Sequence, residues 1–263
     1  MMGSQQKQGM TKKKESYQVQ AVDRALSILT CFSLTNSELT LAEISEMTEL
    51  PKPTVFRLLA SLEAAKFVEP TADNQRYTVG IRLFELGEIY QSNLSIEHVV
   101  TPFMQEITQK FDIVCNLGIL DDGQVVYIAS TDQGGPFRHV PIIGYRHYVH
   151  CSALGKSLLV DHPDPEVMGI LEERGMPALS PYTIIDKEQF LENLDQARKQ
   201  GYSVDDQEGA VGIFCLAVPI RNRSGEIVAA LSASGPSPKF TSDIKKSLLQ
   251  ELRDTTRGVR SML

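Results

Sequence analysis

Three side chains at the start of one apolar-striped segment are of the kinds that grip nucleic acid. Val55, Leu58, Leu59, Leu62 and Ala65 recur at helical spacing and leave Lys52, Thr54, Arg57 and Ser61 outside the stripe. Lys52 and Thr54 fall in the first helical turn and Arg57 one turn later. That arrangement suits phosphate contact by the lysine and paired hydrogen bonding of the guanidinium to guanine in a major groove. A second concentration of chemistry lies at Cys151-Ser152-Ala153-Leu154-Gly155-Lys156. Small residues at a helix start leave backbone N–H groups open, and such a terminus attracts a carboxylate or phosphate. Ser232 and Ser234 stand two apart on an expected strand, so their hydroxyls share a side, and Cys215 belongs to a neighbouring expected strand. Tight packing by small residues explains the same string equally simply.

The four cysteines, Cys31, Cys115, Cys151 and Cys215, form no CxxC pair and no closely spaced ligand set, so free thiols are expected rather than a disulfide framework. The same thiols and histidines bear on two other chemistries. Cys151 as a nucleophile with His150 or His147 as base lacks an orienting partner, and neighbours on a strand point apart; no enzyme is expected. A thiol- or metal-responsive regulator using Cys115, Cys151, Cys215 and His150 is the alternative reading, because thiolate and neutral imidazole suit zinc. No cofactor is expected.

The elements that position these residues follow from periodicity. Val22, Ala25, Leu26, Leu29 and Phe32 make one helical stripe. Thr40 precedes a short helix with Glu43 three residues on, a capping-box pattern. Pro51 opens the third helix, and Phe67–Glu69 and Arg76–Val79 read as strands around an Asp73-Asn74 turn. Three helices and a hairpin in about 60 residues is the winged helix-turn-helix plan. The next helix, 81 to about 91, is apolar on more than one face through Ile81, Leu83, Phe84, Leu86, Ile89 and Tyr90, which predicts self-association. Helices at about 96–111, 152–160, 187–200 and 242–262 then surround strands at 113–120, 125–130, 202–205, 213–220 and 227–234, an α+β domain. The expected division is an arm at 1–17, a DNA-binding domain at 18–80, a linker helix at 81–93 and a second domain at 94–263.

A chain of 263 residues, 42% hydrophobic and 22% charged, is ordinary for a folded two-domain protein. No run approaches the roughly 20 apolar residues of a membrane span, so a cytoplasmic location is expected and no membrane partner. The net charge of −7 excludes a strongly basic, non-specific nucleic-acid binder, although all of it falls on residues 81–263 and the first 80 residues are neutral. Lys12, Lys13 and Lys14 in the arm suit either phosphate contact or simple solvation.

These strings, taken in order, resemble the IclR family of bacterial transcription regulators from about Val19 onward. They are Val22–Leu26, Leu50–Leu59 with Lys52-Pro53-Thr54 at its centre, Arg76-Tyr77, His150–Lys156, Gly201–Asp206, Gly212–Cys215 and Leu231–Pro236. The resemblance implies an N-terminal winged helix-turn-helix, a linker helix and a GAF-like α+β effector domain. It implies operator DNA as one partner, read by Lys52, Pro53, Thr54 and Arg57, with Gln75 and Arg76 in the wing. A small organic-acid effector is the other, contacted by the Ala153-Leu154-Gly155 helix start and by Asp205, Cys215, Ser232 and Ser234. A homodimer or tetramer is expected. Three residues depart from the pattern: Glu49 where Gly is frequent, Tyr148 where Pro is frequent, and Phe214 where a polar residue is frequent. The last two are expected near the effector pocket.

Overall fold

The computed structural model describes residues 19–33, 35–73, 75–93, 95–134 and 141–263. The expected arm at 1–17 and Asn74 of the hairpin turn lie outside the described residues. The chain divides into two compact units, 1–93 and 94–263.

The first unit contains α1 (Gln20–Leu29), β1 (Glu38–Leu39), α2 (Leu41–Thr48), α3 (Lys52–Ala64), β2 (Val68–Pro70), β3 (Tyr77–Val79) and α4 (Ile81–Asn93). Thr40 and Glu43 form the reciprocal capping box: the Glu43 N–H donates to Thr40 Oγ1 at 3.2 Å, and the Thr40 N–H to Glu43 Oε2 at 2.7 Å. Glu49 takes the left-handed conformation, φ 54°, between α2 and α3. A glycine makes that turn without the Cβ penalty. Pro51 caps α3 and Pro53 sits inside its first turn, where its missing N–H costs nothing. Ile28, Ile44, Val55, Leu59 and Val68 close the core. Here the expected α1 stripe needs correction: Ile28 is the buried residue, Val22 and Leu26 are exposed, and the helix ends before Phe32. Strand β1, absent from the sequence reading, completes a three-stranded wing in the order β1-β3-β2. Gly80 lets the wing return against the end of α3, since a Cβ there would stand 2.3 Å from the Lys66 carbonyl oxygen.

The second unit is α5 (Ser95–Phe111), β4 (Val114–Asp121), β5 (Gln124–Thr131), β6 (Arg146–Tyr148), α6 (Ala153–Leu159), α7 (Asp164–Arg174), α8 (Lys187–Gln200), β7 (Ser203–Asp206), β8 (Ile213–Arg221), β9 (Ile227–Pro236) and α9 (Ser242–Val259). Its six strands run antiparallel in the order β6-β5-β4-β9-β8-β7. Alternation sorts the side chains. Cys115, Leu117, Leu216, Val218, Leu231 and Ala233 pack with Val100, Met104 and Ile107 of α5 and Leu248, Leu252 and Val259 of α9. Val125, Ala217 and Ala230 pack with α6, α7 and α8 on the other side. Helix α7 and strand β6 went unread in the sequence: α7 is too weakly patterned, and β6 is a three-residue edge strand.

Candidate functional site

In the first unit, α3 buries Val55, Leu59 and Leu62 and leaves Lys52, Pro53 and Arg57 exposed, with Thr54 half-buried. The four residues named on this helix therefore share its open side near the N-terminal end. Of the wing residues, Gln75 is exposed, whereas Arg76 turns back on its own domain. Its Nη1 donates to the Glu38 carbonyl at 3.0 Å and to Glu43 Oε2 at 3.4 Å, tying the wing to the first turn of α2.

In the second unit, the antiparallel register assembles a polar row on the sheet face that α6 covers. Asp205 pairs with Cys215, Cys215 with Ser234, and Asn116 with Ser232. Cys215 Sγ lies 3.2 Å from Ser234 Oγ, and Asn116 Oδ1 accepts from Ser130 Oγ at 2.7 Å. Ser152 caps α6 by accepting from the Gly155 N–H at 3.0 Å. The N–H groups of Ala153 and Leu154, in the first turn, have no helical acceptor. Between this helix start and the sheet lies a small cavity of about 50 Å³ that opens to solvent, lined by Ala153, Leu154, Asp205, Cys215, Ser232 and Ser234. Gly155 is not among its walls. Its N–H is already used by Ser152, and a Cβ there would stand 2.3 Å from Val149 Cα, so Gly155 serves close packing.

Asn116, Tyr127, His147 and the 209–213 loop also line the cavity. Asn116 carries a signal the sequence reading passed over, a polar residue inside an apolar strand. The cavity continues into a second hollow walled by Tyr127, Ile142, Tyr145, His147 and Leu179. The two departures expected near the pocket do not line it. Phe214 points to the opposite sheet face, 4.8 Å from the Phe240 ring centroid, and Tyr148 packs edge-on against His150.

Among the described residues, no lysine or arginine lines the cavity. Lys156, fully buried one turn into α6, is instead paired with Glu208 at 2.6 and 2.7 Å and donates to the Val204 carbonyl at 3.0 Å. With Ser203 Oγ donating to the Ala153 carbonyl at 2.6 Å, this pins α6 to β7 and its following loop. Burial, and secondly the Glu208 charge, push the Asp205 carboxyl up to about 6, although its Oδ1 accepts from the N–H groups of Glu208 and Gly209. Burial likewise pushes the Cys115 and Cys151 thiols up to about 12 and Cys215 well up. Cys151 Sγ does lie 3.8 Å from His147 Nδ1, but a thiol held protonated is a poor nucleophile and metal ligand. His150 is buried with Nε2 donating to the Pro177 carbonyl. Among the described residues, no three or more His, Cys, Asp or Glu side chains gather as a metal site, and no helix is long and apolar enough to cross a membrane.

Two family models match in order along the chain: the IclR helix-turn-helix domain at residues 21–72 and the bacterial transcriptional regulator IclR C-terminal domain at residues 89–261. The chain is similar to the HTH-type transcriptional repressor AllR of Escherichia coli, with 33% identity over 244 residues, 93% of this chain and 90% of the relative. Its fold is shared with an IclR transcriptional regulator from Alicyclobacillus acidocaldarius, at TM-score 0.82 and 25% identity over 93% of this chain and 99% of the other. An IclR homolog from Microbacterium hydrocarbonoxydans, crystallised with 4-hydroxybenzoate, has the same fold at TM-score 0.80 and 24% identity, over 92% and 98% of the two chains. A winged helix-turn-helix with an open recognition helix, joined in one chain to this α+β domain and matched throughout, places the protein in the IclR family of DNA-binding transcription regulators.

Proposed function

We propose that the protein binds an operator through residues 18–80, with 81–93 as linker helix, and that a small organic acid held by residues 94–263 changes its operator affinity. Lys52, Pro53, Thr54 and Arg57 meet the major groove, Gln75 meets the adjacent backbone or minor groove, and Arg76 holds the wing in place. The observation that carries the effector reading is the convergence of Ala153, Leu154, Asp205, Cys215, Ser232 and Ser234, from four separate elements, on one cavity with no cationic side chain among its described walls. Such a site takes a small monoanion by backbone N–H and hydroxyl groups, and Asp205 is placed to hold a ligand hydroxyl. The aromatic hollow beyond it has room for an apolar or aryl substituent. The relative crystallised with 4-hydroxybenzoate supports the acid class.

The same reading makes the protein a homodimer. Ile81, Phe84, Leu86 and Tyr90 are exposed on α4, and Val22 and Leu26 on α1, which supports pairing through these helices, with a tetramer formed through the effector domains. Thermal-shift screening of small organic acids against the full chain identifies a ligand. Replacing Ser232 and Ser234 together by Ala then weakens its binding by roughly 1–3 kcal/mol while effector-free operator binding is kept. Undiminished affinity in the double variant places the pocket elsewhere.

A further inference from the structure

The recognition helix carries one large side chain that neither the domain core nor any role described so far employs. Phe56 is 58% exposed on α3, between the buried Val55 and the exposed Arg57. It is not part of the hydrophobic cluster that Val55, Leu58, Leu59 and Leu62 build beneath it. At 100° per residue, Thr54 and Phe56 flank Arg57 on opposite sides of the open face, and Phe56 sits one turn after Lys52. Ala60 and Ser61, the next residues toward that face, are exposed and small. A helix with short side chains there can approach the base edges closely, and the bulk then projects from the residues beside Arg57.

We propose that Phe56 is a specificity-determining residue that reads a thymine by apolar contact with its C5-methyl group, beside the base pair addressed by Arg57. The inference rests on the reading of α3 as the element that enters the major groove. The chemistry is specific: of the four bases only thymine presents a methyl group in that groove, and a phenyl ring has no hydrogen bond to offer the others. Continuity with Lys52, Thr54 and Arg57 favours DNA over a second protein chain as the occupant, because a partner covering Phe56 would also cover Arg57.

Selection from a random duplex pool with the full-length protein yields the operator. Each thymine of one half-site is then replaced singly by deoxyuridine, which removes only the methyl group, and dissociation constants are measured by fluorescence anisotropy. At one position the wild-type protein loses about fourfold, the worth of one buried methyl group. Phe56→Ala loses a similar or larger factor on the thymine operator and is indifferent to deoxyuridine at that position; Phe56→Leu keeps part of the discrimination. Thermal unfolding of the variants confirms that they fold, as an exposed position allows. The proposal is overturned if Phe56→Ala retains the wild-type deoxyuridine profile, whether or not its overall affinity falls, since a uniform loss would put the ring against protein or backbone. Arg57→Ala separates the two readings. If it also binds as wild type, the docking of α3 is at fault; if it alone loses affinity, only the role of Phe56 is.

Discussion

Asp205→Asn tests the electrostatics of the cavity with a nearly isosteric change. Asp205 is 4% exposed, and its Oδ1 accepts from two backbone N–H groups, bonds that an asparagine amide oxygen also accepts. What the variant removes is the charge. The carboxyl rises from 3.8 to about 6 on folding, because burial and Glu208 disfavour the anion. That elevation corresponds to about 3 kcal/mol between the two protonation states. The folded state binds the proton more tightly than the unfolded state, so this contribution is fully present below about pH 4 and is lost as pH rises through about 6. The variant lacks the loss. The difference in stability, variant minus wild type, should therefore be near zero at pH 4 and grow to about 3 kcal/mol in favour of Asn by pH 7.5. For a domain of this size that is roughly 6–12 °C in Tm. Far-UV circular dichroism melts of both full-length proteins across that range measure it. A difference that is constant with pH, or an Asn variant less stable at pH 7.5, refutes the reasoning. The proposed effector site adds a functional corollary: if Asp205 holds a ligand hydroxyl, effector affinity should fall in the variant that is more stable.

Three further outcomes follow from the same geometry. Lys156→Met leaves Glu208 buried without its partner and should destabilise the effector domain by about 3–5 kcal/mol, most of it recovered by adding Glu208→Leu; urea denaturation of the singles and the double measures the coupling, and additive losses would contradict a buried ion pair. Gly155→Ala forces a Cβ to within 2.3 Å of the Val149 backbone, and should cost at least about 1–3 kcal/mol and weaken effector binding by displacing α6, both read by thermal melts and calorimetry. The thiols of Cys115, Cys151 and Cys215, held protonated by burial, should react with Ellman's reagent at pH 7.5 far more slowly in the native protein than the four thiols do after unfolding in guanidinium; rapid native labelling of any of the three would revive a thiol-responsive reading.

Local chemistry made much of this protein legible. The Thr40–Glu43 capping box, the Pro51 boundary of α3 and the Val55-Leu59-Leu62 stripe depend on residues within a few positions of each other, and the helices appear where those signals put them. The shared side of Ser232 and Ser234 follows from the twofold period of a strand, and α3's open Lys52, Thr54 and Arg57 from the period of a helix. What adjacency along the chain does not encode is which face of a strand meets which layer. Phe214 and Cys215 are neighbours, yet one packs on Phe240 and the other lines the cavity, a choice made by the register of β8 on β9. The pairing of Lys156 with Glu208 across 52 residues, of Asn116 with Ser232, and the turning of Arg76 onto Glu43 likewise exist only once distant segments pack. Tertiary structure also decided that Gly155 serves packing, because the Val149 backbone that forbids a side chain there is brought close only by the fold. The sequence determined the elements and the residue types they carry, since those are set by short-range sterics and periodicity. The cavity and the elevated Asp205 carboxyl were decided by long-range packing, which removes water and so sets the price of every charge left inside.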